Sequence, residues 1–144
     1  MGRGHGLSED ELVRCTTALL TTLAVGLVPV SVASAEEVQI GQKVKGPGKT
    51  CAGNVAENDN VKVCFRRDGE YLYVQDKAAD GRSAYGQLAD RDRHCRNPYG
   101  KGTWVRCDYS YREGSTVAFR GYTRDNEGSI NIMRNETRYT SELA

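Results

Sequence analysis

The chain has 144 residues, with 20 Lys+Arg against 19 Asp+Glu and a formal net charge of +1. Its charges alternate in sign and form no block, so they supply no electrostatic reason to bind nucleic acid or an anionic membrane. The length permits one modest core rather than several domains.

Residues 1–35 read as an export signal. Thr16 to Val32 is a largely apolar run, and Ala33-Ser34-Ala35 offers the small residues of a cleavage site. The run is short, holds four threonines and contains Pro29, which makes it too weak for a membrane span. Glu9, Asp10 and Glu11 sit where a signal needs positive charge. A start at Leu12 or Val13, giving a compact signal led by Arg14, is one reading; a tolerated long leader is the other. Cys15 follows Leu-Val-Arg rather than a lipoprotein box and belongs to the discarded signal.

Cleavage after Ala35 leaves residues 36–144 as one secreted domain. It keeps 18 Lys+Arg and 16 Asp+Glu, since Arg3, Arg14 and the three early acids leave with the signal. Its apolar residues recur with period two, which means strands with one buried face. The first strand is expected near Val38 to Val44. Segments 61–67 and 70–76 form a hairpin around Asp68-Gly69. A weak strand lies near Arg82 to Leu88. Segments 103–111 and 115–123 form a second hairpin around Glu113-Gly114, and 115–123 joins 129–134 in a third. Each turn places Gly where a tight connection demands positive φ. About seven short strands predict an all-β antiparallel sandwich or open barrel. The expected core is Val61, Val63, Phe65, Leu72, Val74, Val105, Tyr109, Val117, Phe119, Ile130 and Ile132.

Four cysteines remain: Cys51, Cys64, Cys95 and Cys107. In an oxidising compartment an even number reads as two disulfides. Four cysteines allow three connectivities; pairing of neighbours, Cys51–Cys64 and Cys95–Cys107, is favoured because each pair flanks a turn-rich loop. Zinc is disfavoured, because there is no Cys-x-x-Cys spacing and His94 is the only histidine after the signal.

Arg96 to Gly102 reads Arg-Asn-Pro-Tyr-Gly-Lys-Gly, a closed loop that would project Tyr99 and Lys101. Trp104 is out of phase with Val105, Cys107 and Tyr109 and shares a side with Arg106 and Asp108. It is either an exposed indole for stacking on a sugar or inserting into a partner, or, as the preferred reading, covered at an edge of the core or on a second inner face. Arg96, Tyr99, Lys101 and Trp104 are therefore the candidate binding residues. No catalytic residue, metal ligand or cofactor is assigned. The best enzyme alternative is a small secreted ribonuclease-type hydrolase using His94 with Glu70 or Glu113.

Asp125-Asn126-Glu127-Gly128-Ser129 resembles part of the calcium loop of βγ-crystallin domains. The match covers five residues, and Ile130 stands where that family has a second hydroxyl. A plain turn is the preferred reading there, as at Asp90-Arg91-Asp92. In leader, size, disulfide number and Gly/Tyr/Arg-rich strands, the chain is similar to small exported proteins of actinomycete bacteria. That group includes peptidase and amylase inhibitors, although the Trp-Arg-Tyr triplet of the amylase inhibitors is missing here. The resulting expectation is a monomeric binding or inhibitory module acting outside the cell. Its partner would be an extracellular protein or cell-wall component, with no nucleic acid and no membrane after cleavage. The alternative to inhibition is a structural cell-surface or spore-associated role.

Overall fold

A computed structural model describes residues 36–51, 53–90, 92–125 and 132–144. The expected signal, Ile130 and most of the 125–129 turn lie outside the described residues. The described residues belong to one compact unit.

Eleven strands among the described residues make two packed sheets, a sandwich with no closed barrel. Sheet A holds β1 (Glu37–Ile40), β6 (Arg82–Leu88), β7 (Arg93–Asn97), β9 (Thr116–Asp125), β10 (Met133–Arg134) and β11 (Thr140–Leu143). Its order is β1-β7-β6-β9-β10, with β11 also pairing β9. Sheet B holds β2 (Gln42–Val44), β3 (Val55–Glu57), β4 (Val61–Arg66), β5 (Tyr71–Asp76) and β8 (Trp104–Asp108), in the order β2-β8-β5-β4-β3.

The β4–β5 hairpin forms as expected. Gly69 and Glu70 take φ of 86° and 52°, and the register pairs Val63 with Val74 and Phe65 with Leu72. Residues paired across antiparallel strands share a face. The inner face of sheet B therefore carries Val61, Val63, Phe65, Leu72, Val74, Val105 and Cys107, all buried. The outer face carries Trp104, Arg106, Tyr71, Tyr73, Lys62 and Cys64.

Opposite that core, sheet A presents a paired gap. Gly86 and Gly121 face one another on β6 and β9. A Cβ at Gly86 would lie 2.8 Å from Val74 Cγ2, and one at Gly121 would lie 2.9 Å from Val61 Cγ1. The valines of sheet B occupy the space that these glycines leave. Gly41 does similar work at the edge: its Cβ would lie 2.5 Å from Val105 Cγ2 and 3.2 Å from Cys95 Sγ. There the expected 38–44 strand breaks, and the chain passes from β1 in sheet A to β2 in sheet B.

Both disulfides join neighbours in sequence. Cys95–Cys107 links β7 to β8, inner face to inner face, with both cysteines buried. Cys51–Cys64 instead lies on the outer face of sheet B. It ties a 3-10 turn (Gly48–Cys51) to β4. Because β2 and β3 are opposite edges of sheet B, the described residues 45–51 and 53–54 cross that outer face as a strap.

Three expectations need correction. Glu113-Gly114 does not turn a hairpin, because β8 and β9 belong to different sheets. The backbone edge of β8 is already taken by β5, so residues 109–115 cross the sandwich, and the Gly114 amide binds the Ala144 carbonyl at 3.0 Å. Ile132 is 47% exposed rather than core. It lies just before the two-residue pairing of β10 with β9, which begins at Met133. Finally, the sandwich is not wholly antiparallel: β1 runs parallel to β7.

Candidate functional site

Strand β7 leads into the loop singled out by its sequence. Asn97 faces inward at the end of β7 and is fully buried. Its amide nitrogen donates to the Val74 carbonyl at 3.1 Å and the Thr103 carbonyl at 2.9 Å. Its amide oxygen accepts from the Tyr99 backbone at 3.2 Å and the Thr103 hydroxyl at 3.1 Å. One side chain thus uses both ends of its amide to hold both ends of the loop. The turn closes with Thr103 N–H to Gly100 O at 3.2 Å and Gly102 N–H to Asp76 O at 2.7 Å. Gly100 and Gly102 both take φ of 82°, which this return requires. Tyr99, 47% exposed, and Lys101, exposed, stand at the tip, with Lys43 Nζ 5.5 Å from the Tyr99 ring centroid.

The loop forms one wall of an open cleft of about 450 Å³, and residues 78–82 form the other. Asp76 also lines it. This carboxyl is almost fully buried; one oxygen accepts the Ala78 amide at 3.0 Å and the other has no hydrogen-bond partner among the described residues. Burial pushes the carboxyl above its ordinary range, with the charge of Asp80 acting in the same direction.

The four sequence candidates do not form one site. Arg96 lies on the outer face of sheet A, where its Nε donates to Ser83 Oγ at 3.2 Å. Trp104 lies on the outer face of sheet B, half-buried, in a second cleft with Lys45, Pro47, Lys49 and Lys62. Only Tyr99 and Lys101 share a cleft.

His94 is fully buried on the outer face of sheet A. Its Nε2 lies 2.8 Å from Asp92 Oδ1, and its Nδ1 lies 2.7 Å from the Tyr122 hydroxyl. A carboxylate only accepts, so Nε2 donates to Asp92; in the neutral ring this leaves Nδ1 as the acceptor of the Tyr122 hydroxyl. The His94 bond holds the Asp92 carboxyl below its usual range. Gln87 extends the chain, donating to Asp92 at 2.9 Å and accepting from Arg120 at 2.7 Å. Arg120 pairs with Glu136 and stacks on Tyr139, 4.8 Å from the ring centroid. Arg124 pairs with Glu36 at 2.8 Å and lies over Tyr85 and Tyr122, whose rings stack 5.0 Å apart. Neither Glu70 nor Glu113 is a partner of His94; Glu70 accepts the Tyr111 amide at 2.7 Å.

Of the carboxylates in the possible calcium turns, Glu127 lies outside the described residues, and the others are likewise engaged. Asp90 accepts from Tyr111 at 2.9 Å, and Asp125 pairs with Arg82 at 2.8 Å. Among the described residues, no group of three or more His, Cys, Asp or Glu is arranged to hold a metal ion. The sequence reading missed Asn97, Asp76 and the His94 network, and only the Asn-Pro turn signal pointed toward the first. No protein-family model matches the chain, and neither a curated protein nor a solved structure matches it.

Proposed function

We propose that this chain is a binding or inhibitory module that acts outside the cell and engages an extracellular protein through residues 98–102. The observation that carries this reading is the buried Asn97, which fixes both ends of the loop before any partner arrives. Ordering a loop in advance removes a large part of the entropy cost of association. Tyr99 is an amphipathic anchor with few torsions, and such residues dominate binding hot spots. Lys101 adds a mobile cation beside it. The two disulfides fit an oxidising compartment. No helix among the described residues is long and apolar enough to cross a membrane. The burial of His94, with both ring nitrogens engaged, supports ranking a histidine-based hydrolase below a binding role.

The test is a pull-down from spent culture medium alongside inhibition assays with extracellular peptidases and glycosidases. Wild-type protein should retain or inhibit a partner, and Tyr99→Ala/Lys101→Ala should lose that activity while unfolding at the same temperature. Undiminished capture by the folded double variant would remove the loop from the interface.

A further inference from the structure

The cleft beside Trp104 is built from a different part of the chain than the loop. The strap fixes one wall. Gly46 has φ of 124°, and a Cβ there would lie 3.3 Å from Trp104 Cδ1, so the backbone lies close against the indole. Cys51–Cys64 anchors the far end of the strap to β4. The cleft is open to solvent, and its volume of about 430 Å³ is in the range of small-ligand sites, roughly 300–1,000 Å³. Three lysines line it. Lys62 is compensated by Glu57 at 3.0 Å, an acid that also holds Lys77 at 2.6 Å. Lys45 and Lys49 are exposed, and their ammonium groups have no ion pair or hydrogen bond among the described residues.

A half-buried indole beside two uncompensated ammonium groups asks for a ligand that has a flat apolar face and negative charge. The C–H face of a pyranose ring stacks on an aromatic ring, and a carboxylate or sulfate on that sugar would meet the lysines. Single-stranded nucleic acid is matched less well, because it is bound over successive aromatic platforms and Trp104 is the only tryptophan in the chain. We propose that the Trp104 cleft is a binding site for an acidic saccharide. The strap, held by its disulfide, keeps the site preformed.

Because Trp104 is the sole tryptophan, its emission reports occupancy directly. The purified full domain would be titrated with trigalacturonate, a sulfated heparin disaccharide, maltotriose, trithymidylate and hexaglutamate. The expected result is a saturable change with an acidic saccharide that weakens as salt rises. The first two probes tell carboxylate from sulfate recognition. Lys45→Gln/Lys49→Gln should weaken binding roughly tenfold, about 1.4 kcal/mol, with an unchanged unfolding midpoint. Equal binding of maltotriose would overturn the proposal, as would tighter binding of trithymidylate or hexaglutamate. So would the absence of any saturable response to both acidic saccharides, or full binding by the folded lysine variant. None of these outcomes bears on the loop, whose readout is protein capture.

Discussion

The two outer faces of the sandwich carry similar residue types and use them in opposite ways. On sheet A, His94, Tyr122, Asp92, Gln87, Arg120 and Glu136 satisfy one another in a continuous chain. On sheet B, Trp104 lies beside lysines of which only Lys62 has an acid partner among the described residues. Polar groups that spend their hydrogen bonds inside the molecule stabilise and orient it; groups left unspent are available to a ligand. Both ring nitrogens of His94 are engaged in that chain, whereas Lys45 and Lys49 have no ion pair among the described residues.

The largest expected effect comes from separating the sheets on which both faces are built. Cys95→Ala/Cys107→Ala should cost about 2–5 kcal/mol in urea unfolding and disturb Trp104 emission and tyrosine near-UV dichroism together. Cys51→Ala/Cys64→Ala releases only the strap. Its loop is of similar length, so the chain-entropy cost is about 3 kcal/mol. It should shift Trp104 emission and leave the tyrosine signal of the stacked Tyr85–Tyr122 pair intact. Loss of both signals in this second variant would show that the two faces are not independent.

Within sheet A, Tyr122→Phe leaves the buried Nδ1 of His94 without its donor. A stability loss of about 1–3 kcal/mol is expected, read from denaturant midpoints. A neutral result would mean that the network contributes nothing to the fold and that the contrast between the faces is empty.

The smallest effect is a pH dependence at the loop cleft. Burial raises the Asp76 carboxyl in the folded state above its ordinary value of 3.8. Its stabilising contribution is therefore complete below that value and is lost as pH rises through the raised folded value. Asp76→Asn escapes that loss. The variant should melt higher than wild type at pH 7, with the gap closing below the ordinary carboxylate range. A gap that widens in acid would contradict the burial argument.

Much of the architecture was legible because period-two alternation records one buried face. Val61, Val63 and Phe65 read correctly, and so did the phase of Trp104 opposite to Val105. Strand β7 was invisible, since Arg93-His94-Cys95-Arg96-Asn97 shows no apolar alternation. Arg93 is buried there because Tyr109 and Tyr111 place their rings 4.9 and 4.7 Å from its guanidinium, and those residues come from a distant segment. The same limit hid Asn97 and His94, whose partners are Val74, Thr103 and Tyr122. The Glu113-Gly114 signal was read as a hairpin because a local window cannot tell a turn within one sheet from a crossing between two. Tyr99 and Trp104 were grouped because they are near in sequence, yet successive strand residues and loop tips point to different sides.

The claim most central to this account is that residues 98–103 are rigid before a partner binds. Amide hydrogen exchange of the free protein tests it directly. The amides of Tyr99, Gly102 and Thr103 donate to Asn97, Asp76 and Gly100 respectively. They should exchange as slowly as neighbouring amides of β7 and β8, and Asn97→Ala should release the Tyr99 amide first, since it alone donates to the Asn97 side chain. Fast exchange of these amides in the wild-type protein, at the rate of an unstructured loop, would contradict the account.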